Sequence, residues 1–463
     1  MPGNRQLGVA FAVGLVLPLA SIAYMAFLDI PFAGGMYESG KYSRPAIELL
    51  QSGGLTRDGE PELQRLPGYP LFLAAIYALF GIGNDLAVVL VQAALAAATV
   101  VLTGLAASAL NRDWFWPAVI LAAATPNIGY RASIVLTEPL FLFCVAGAVC
   151  AGLWTMYGSR PWLASALSSA FSAMCFMTRP AFLLFPALSA PVLYWALRRN
   201  GAISRGHAAA IAVLPIVLCA VVAVPHMLSI QRATGHLTFT TQSGRQALEW
   251  VYPCLAARLG CGTPNAEALQ RASDRLAAAI AELPADQRND EVVVDRVRGQ
   301  LARELLLELP PTHLVVSAIG AAAKMMLHNA IYELNQRTGV ESVFFSQVSG
   351  ETLPQRAANF LSEIAARPWM VAWLAAQLAL FGFRGVQAVG MVSALKTPEY
   401  RMAGLYLLAT SVALAVVTVG LGNPRYRVPL EPMLILLTLL GWPAVRQFVL
   451  RLRPRPAAMV RPQ

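Results

Sequence analysis

The sequence predicts an all-α polytopic membrane protein with about ten transmembrane helices, interfacial helices at the outer face and a small helical outer lobe. Hydrophobic residues make up 57% of the 463 residues, whereas charged residues make up only 13%, about half of the share typical of soluble domains. The apolar residues are also collected in long runs. A run of about 20 such residues can cross the hydrocarbon core as a helix, because a helix satisfies its own backbone hydrogen bonds.

Ten apolar runs are predicted to span the membrane. The first follows Arg5, as in a secretory signal, but it is longer than a signal segment and no small-residue cleavage pattern follows it, so we expect an uncleaved span. The predicted spans lie at about residues 7–28, 86–110, 114–130, 132–157, 162–178, 180–197, 208–226, 369–395, 402–421 and 428–446.

The distribution of Lys and Arg predicts the orientation. Placing both termini in the cytoplasm leaves the short basic segments and the basic tail inside, as the positive-inside rule requires. Three regions follow: a transmembrane core with the first outer loop 29–68 (1–228), an outer helical segment (229–367), and C-terminal transmembrane helices with the tail (368–463). The net charge of +10 is therefore a topology signal and does not indicate nucleic-acid binding.

The outer segment predicts two amphipathic surface helices. Apolar residues recur at three- and four-residue spacing in TPNAEALQRASDRLAAAIAEL and NDEVVVDRVRGQLARELLLELPP; Thr263 with Pro264 is a helix start, and Pro310 with Pro311 a stop. Residues 312–333 have a shorter apolar run, interrupted by Lys324. We expect an interfacial or re-entrant helix there, because an eleventh span would place the basic tail outside.

The six cysteines predict no metal site, since no Cys/His spacing suits one. Four lie in apolar spans, where a thiol is a small packing group. Cys254 and Cys261 fall on the predicted outer side, where an oxidising compartment permits a disulfide; a bridge and two free thiols are both open alternatives.

Ionisable residues at membrane helices are costly and tend to line functional cavities. Four places stand out, and all four lie on the predicted outer side, which favours a shared site, although each alone is compatible with a snorkelling arginine or a solvated carboxylate. They are Glu38 in the first outer loop, Glu138 in LTEPLF, Arg179 in MTRPAF, and Arg425, Arg427 and Glu431 in GNPRYRVPLEP.

Five stretches, in order, resemble GT-C glycosyltransferases of the family 39 type, which include protein O-mannosyltransferases and bacterial aminoarabinose transferases. They are ESGKYSRPAIELLQSG, QRLPGYPLFLAAIYALFG, ASIVLTEPLFLF, TRPAFLLFPAL and NPRYRVPLEPMLILL. The resemblance covers about residues 7–200 and 400–447. It implies a GT-C-like enzyme of the bacterial cytoplasmic membrane that transfers a hexose or pentose, at the outer face, from a polyprenyl-phosphate donor to a lipid, glycan or protein acceptor.

The resemblance also implies a general base. The family has an acidic residue in the first outer loop, usually Asp, followed at four-residue steps by Tyr and Ala; the matching positions are Glu38, Tyr42 and Ala46. Glu38 is thus the expected base, with Asp29 as the alternative because Glu is one methylene longer than Asp. Pro45 disfavours helical geometry in the residue before it, so the following helix is predicted to begin near Ser43.

The phosphate of a lipid-linked sugar needs cations at the membrane edge, and the planar guanidinium group suits it. Arg179, Arg425 and Arg427 are the predicted donor-phosphate ligands, with Lys324 and Arg131 as weaker candidates. No cofactor is expected, because a monophosphate does not demand a divalent ion; such a cation stays an open alternative.

Three further residues are assigned positioning roles. Glu138 is expected to position the acceptor, the sugar or an arginine, and Tyr42 and Tyr426 are expected to help position ligands.

A membrane transporter or flippase of lipid-linked sugars is the rival hypothesis. The sequence has no internal repeat and no matched pair of broken spans of the kind that transporters use. A structural scaffold without turnover would explain the topology but not the four outer motifs.

Overall fold

The computed structural model describes residues 2–33, 40–199, 203–257, 265–328, 348–349, 352–418 and 422–452. The chain is helical along most of these ranges, so the predicted all-α polytopic membrane fold is confirmed. The described α-helices are α1 (Asn4–Phe27), α2 (Gly40–Ser52), α3 (Gly68–Phe80), α4 (Asp85–Leu110), α5 (Phe115–Ala123), α6 (Pro126–Arg131), α7 (Glu138–Tyr157), α8 (Pro161–Thr178), α9 (Leu184–Arg199), α10 (Arg205–Thr234), α11 (Ser243–Gln246), α12 (Tyr252–Ala256), α13 (Ala266–Glu282), α14 (Glu291–Leu307), α15 (Pro311–Leu327), α16 (Leu353–Ala366), α17 (Pro368–Lys396), α18 (Arg401–Thr418) and α19 (Glu431–Leu452).

Shorter elements join some of these helices. A π-helical turn, Ala247–Val251, lies between α11 and α12. Two strands, β1 (Thr56–Arg57) and β2 (Glu60–Pro61), form an antiparallel hairpin with Thr56 opposite Pro61. Three 3₁₀ helices cover Arg112–Trp114, Pro180–Leu183 and Pro424–Leu430.

Six of the described helices are long and apolar enough to cross a membrane by themselves, or seven if the bent pair α14 and α15 forms one span. They are α1, α4, α7, α10, α17, and α19 taken together with the 3₁₀ helix before it (Pro424–Arg451). This number is below the predicted ten. The remaining predicted spans include α8, α9 and α18, which have 18, 16 and 18 residues, at or just below the length that a crossing needs.

Two predicted spans differ in their bounds. The span predicted at 114–130 is divided into α5 and α6 at Thr125, which precedes Pro126; a residue before proline avoids helical geometry. At about 1.5 Å per residue, neither piece reaches the roughly 30 Å of the hydrocarbon core. The span predicted at 132–157 begins only at Glu138, because the six residues before it are not helical.

Helix α7 lies at the centre of the bundle, and 83% of its most apolar 18-residue stretch is buried. It packs mainly against α4 and α8. Gly147 permits this approach, because a Cβ there would lie 2.6 Å from the Phe171 ring on α8. Ser168 of α8 also donates a hydrogen bond to the Ala148 carbonyl, at 3.1 Å. The first residue of α7, Glu138, consequently lies at one end of the most buried helix.

The predicted helices of the outer segment are confirmed as α13 and α14. Asn265 caps α13 by accepting from Ala268 N at 3.0 Å, whereas the predicted start at Thr263 and Pro264 lies outside the described residues. Helix α14 ends at Leu307, just before the predicted proline stop. Helix α15 follows with a bend of 109°, as a broken span or a re-entrant segment would. Both prolines are therefore a boundary between two helices.

Helix α2 begins at Gly40 rather than near Ser43, and Pro45 lies inside it. Pro45 and Ala46 are buried, and Ala46 belongs to the main hydrophobic core. Burial of Pro45 and Ala46 therefore outweighs the preference for non-helical geometry that Pro45 imposes on Arg44. The Glu48 carboxylate then fixes the β-hairpin to α2, accepting from Thr56 Oγ1 and from Asp58 N, both at 2.7 Å.

Candidate functional site

The segment before α7 is buried although it is not helical. Gln92 of α4 satisfies its backbone by donating to the Ala132 and Ile134 carbonyls, at 3.2 and 2.6 Å. The Tyr69 hydroxyl orients the Gln92 amide by donating to its Oε1 at 2.8 Å. Buried backbone groups need such partners. The contacts hold the start of α7, and with it Glu138, in a fixed position.

Glu138 is the centre of an arginine cluster. Its side chain has no exposed surface; its Oε1 is ion-paired with Arg179 Nη2 at 2.8 Å and accepts a hydrogen bond from Arg425 Nε. The two arginine side chains are 19% and 22% exposed. Glu138 therefore lies fully buried between two arginine side chains, each of which keeps part of its surface exposed.

Arg179 is held by the residues around Glu138. It lies in extended geometry just after α8 and donates from Nε and Nη2 to Thr137 Oγ1, at 3.2 and 2.9 Å. Its guanidinium carbon lies 5.3 Å from the centre of the Phe141 ring, where a cation–π contact is favourable. The Thr137 hydroxyl and the Glu138 carboxylate, at the start of α7, thus orient Arg179 together.

Arg131 adds a third positive charge to the field at Glu138. Its side chain is almost completely buried, at 1% exposure, at the end of the short helix α6. In the described part of the chain, three guanidinium groups therefore influence one carboxylate. Such a cluster has a net positive charge and is suited to an anionic ligand.

Arg427 faces away from this cluster. The 3₁₀ helix Pro424–Leu430 has three residues per turn, so positions two apart point in different directions. Arg427 is 3% exposed; its Nη1 donates to the carbonyls of Met325, Met326 and His328 at 2.9, 2.9 and 2.6 Å. Its Nε donates to Glu431 at 3.0 Å. Arg427 therefore binds the C-terminal end of α15.

Two residues in this second cluster were not singled out from the sequence. Asn127 of α6 donates to Glu431 Oε1 at 2.9 Å, and Arg384 of α17 donates to the Met326 carbonyl at 2.9 Å. A charged residue within an apolar span is a recognisable signal, and FGFRGVQ carries it at Arg384. The sequence signal at Asn127 is weaker, because it is a lone amide side chain in a short apolar stretch.

The remaining predicted site residues are distributed differently. The Tyr42 hydroxyl accepts from Arg65 Nη1 at 3.2 Å, and Tyr426 packs against the main hydrophobic core. Asp29 is exposed just after α1, with φ of 53°. Glu38 lies outside the described residues, so its assignment as base stays a prediction.

The cysteines divide as their predicted locations suggested. Cys144, Cys150, Cys175 and Cys219 are free and buried. Cys254 is disulfide-bonded, whereas Cys261 lies outside the described residues. The Cys254–Cys261 bridge stays a prediction.

No group of three or more His, Cys, Asp or Glu side chains suited to a metal ion occurs within the described ranges. The expectation that no cofactor is needed stays untested by this observation.

Comparison with solved structures identifies the fold. The oligosaccharyltransferase of Archaeoglobus fulgidus, a GT-C glycosyltransferase solved with a tethered acceptor peptide, aligns with a TM-score of 0.50 and 10% identity over 96% of this chain and 49% of that chain. The chain has a GT-C-like fold. The GT-C-like chain spans about half the length of the archaeal enzyme, and identity this low establishes the fold alone.

Two other solved structures align with the GT-C-like chain. AglB of Archaeoglobus fulgidus, in complex with an inhibitory peptide and a dolichol-phosphate, gives a TM-score of 0.49 and 11% identity over 97% of this chain and 52% of that chain. ArnT of Cupriavidus metallidurans, bound to undecaprenyl phosphate, gives 0.39 and 16% over 98% and 82%. No protein-family model and no curated protein sequence matches the chain.

Proposed function

We propose that the protein is a glycosyltransferase that moves a sugar from a polyprenyl-phosphate-linked donor to an acceptor at the outer face of the cytoplasmic membrane. The observation that carries the proposal is the Glu138–Arg179–Arg425 cluster. It brings two partly exposed arginine side chains to the end of the central membrane helix. The GT-C-like fold supports the broad reaction class, but the chemistry of the site carries the specific proposal.

The two arginines suit the phosphate of the donor. As the bond between the anomeric carbon and the phosphate oxygen breaks, that oxygen gains negative charge, and fixed cations beside it stabilise the transition state. Arg179 and Arg425 supply these cations. Because the contacts of Arg427 lie inside the protein, the donor role is assigned to the first two arginines.

Glu138 acts as a positioning residue in this scheme. Its side chain is completely buried behind the two guanidinium groups, so an acceptor hydroxyl cannot reach it. The base must come from elsewhere, and Glu38 is proposed, with Asp29 as the alternative. The base takes the proton of the acceptor hydroxyl or amine while the acceptor atom bonds to the anomeric carbon, and the lipid phosphate leaves with the bonding electron pair.

The test uses purified full-length protein and a panel of radiolabelled polyprenyl-phosphate sugars. Transfer of label from the lipid to a second product is expected. Arg179→Ala and Arg425→Ala should each weaken donor binding by roughly tenfold or more, since a hydrogen bond to a charged group contributes about 1.5–3 kcal/mol. Arg44→Ala is the matched control, because the Arg44 side chain is 62% exposed and is paired with Asp58.

The base is tested separately. Glu38→Gln removes the proton acceptor but keeps the side-chain size, so transfer should fall by roughly 10²- to 10⁴-fold with little change in donor binding. If only Asp29→Asn has this effect, Asp29 is the base. If the protein binds a sugar lipid and neither substitution affects its fate, the transferase proposal fails and a flippase becomes the better account.

The proposed orientation has its own test. Cysteines introduced at exposed positions 60 and 300 should react with a membrane-impermeant thiol reagent in intact spheroplasts, and a cysteine at position 456 should not. Labelling at 456 without permeabilisation would reject the proposed cytoplasmic C-terminus.

A further inference from the structure

A recess of about 410 Å³ lies beside the arginine cluster, between the membrane bundle and the outer segment. Pro180, the residue after Arg179, forms part of one wall; Thr238 to Thr241 and helix α14 form others. Its volume lies within the range of small-molecule binding sites. The recess therefore adjoins the proposed donor site without containing the cluster itself.

The recess is also fixed to the first outer loop. Thr241 N donates to the Leu63 carbonyl at 2.9 Å, and Thr240 Oγ1 donates to the Gln64 carbonyl at 2.8 Å. The next residue, Arg65, contacts the Tyr42 hydroxyl at 3.2 Å. A ligand in the recess would thus lie close both to residues 63–65 of the first outer loop and to Pro180, which follows Arg179.

The lining favours a neutral ligand with several hydroxyl groups. Four of the lining residues carry hydroxyl groups, and Asp295, Arg296 and Phe239 also line the recess. The Asp295 carboxylate accepts from Gly244 N and Arg245 N at 3.1 and 2.8 Å. Hydroxyl groups and a balanced pair of charges can exchange hydrogen bonds with sugar hydroxyls, and an aromatic ring supplies apolar contact. The polar lining residues are Thr238, Thr240, Thr241, Ser243, Asp295 and Arg296.

Thr241 provides a second, independent observation. It is only 1% exposed, and its Oγ1 has no hydrogen-bond partner among the described residues. The neighbouring Thr240 hydroxyl, by contrast, donates to a carbonyl. Buried hydroxyl groups are normally satisfied. A ligand hydroxyl in the recess would provide the missing partner.

We propose that this recess binds the acceptor and that the acceptor is a neutral saccharide, recognised in part by the Thr241 hydroxyl. The acceptor role rests on the proposed function. The saccharide site itself rests on the recess and its lining.

Saturation-transfer NMR on the full chain in lipid nanodiscs tests the site, with glucose, galactose and N-acetylglucosamine as separate probes and a neutral serine tripeptide as the competitor class. At least one sugar should bind. Thr241→Val should weaken its binding by about three- to tenfold, the usual effect of one neutral hydrogen bond, without lowering the unfolding temperature. Thr410→Val is the matched control, because Thr410 is 0% exposed and donates to the Tyr406 carbonyl at 2.7 Å.

A second variant blocks the recess without altering a buried position. Ser243 is exposed at the rim, so Ser243→Trp should reduce sugar binding while the protein stays folded. The proposal is overturned if no sugar binds, if Thr241→Val binds as wild type does, or if only the tripeptide binds in a Thr241-dependent manner.

The two proposals fail separately. Thr241-dependent sugar binding supports the recess as a saccharide site even if no label leaves any lipid donor, in which case the transferase function fails. Conversely, sugar transfer that proceeds with an unchanged acceptor KM in Thr241→Val overturns the recess as the acceptor site and leaves the transferase function intact.

Discussion

The ion pair between Glu138 and Arg425 should be strongly coupled, and a double-mutant cycle measures the coupling. Removing one partner of a fully buried pair typically costs about 3–5 kcal/mol. Arg425 keeps 22% of its side chain exposed, and Glu138 keeps Arg179 as a second partner. Both facts reduce the effect, so we expect a coupling free energy of about 2 kcal/mol.

The cycle compares wild type, Glu138→Gln, Arg425→Gln and the double variant by reversible unfolding in mixed micelles. The matched control is the Arg44–Asp58 pair, whose side chains are 62% and 61% exposed; Arg44→Gln with Asp58→Asn should give a coupling of about 0–1 kcal/mol. Coupling below about 0.5 kcal/mol in the first cycle, or equal coupling in both, would refute the argument that burial makes the cluster a single electrostatic unit.

Two further predictions concern the outer segment. If Cys254 and Cys261 are bridged, both sulfurs should resist alkylation under denaturing conditions until reductant is added, and free alkylation of both without reductant would rule the bridge out. Partial burial raises the pKa of Asp290, but the hydrogen bonds from His236 and from two backbone N–H groups outweigh this effect, so the pKa is lowered on folding. The stability that the Asp290 carboxylate adds is therefore fully present above the unfolded pKa of about 4. It is lost as the pH falls through the lower pKa of the folded protein. Between pH 5 and pH 3, the protection of backbone amides from hydrogen exchange at the start of α14, corrected for the intrinsic pH dependence of exchange, should decrease in wild type but not in Asp290→Asn. The start of α13 is the internal control, because its cap, Asn265, does not titrate and protection there should not change. Equal loss of protection at both helices would contradict this account.

The convergence of Glu138, Arg179 and Arg425 could be anticipated from the sequence, because charges at membrane helices are costly and all three were expected on one side. The pairing itself could not. It depends on the extended geometry of Arg179 after α8 and on the 3₁₀ helix that separates Arg425 from Arg427. Tertiary contacts determine both conformations, and the hydropathy pattern does not reveal them.

Some helix boundaries could likewise be predicted from the sequence, whereas others depend on tertiary packing. The outer helices α13 and α14 were predictable, since their amphipathic pattern and capping residues act locally. The start of α2 was not, because burial of Pro45 and Ala46 against the bundle overrides the local effect of proline. The break at Thr125 has a local signal in the following Pro126, but the continuous apolar run around it favours a single span.

The two partners of Glu138 come from very different points of the chain. Arg179 lies just after the next helix, α8, whereas Arg425 follows Glu138 by 287 residues, beyond the whole outer segment. During synthesis the carboxylate can meet the second arginine only after that whole segment has been made and the chain has reached Arg425. The last contact that holds the start of the central helix is thus completed late in synthesis, and a chain stalled before Arg425 would have a cluster that lacks one of its cations.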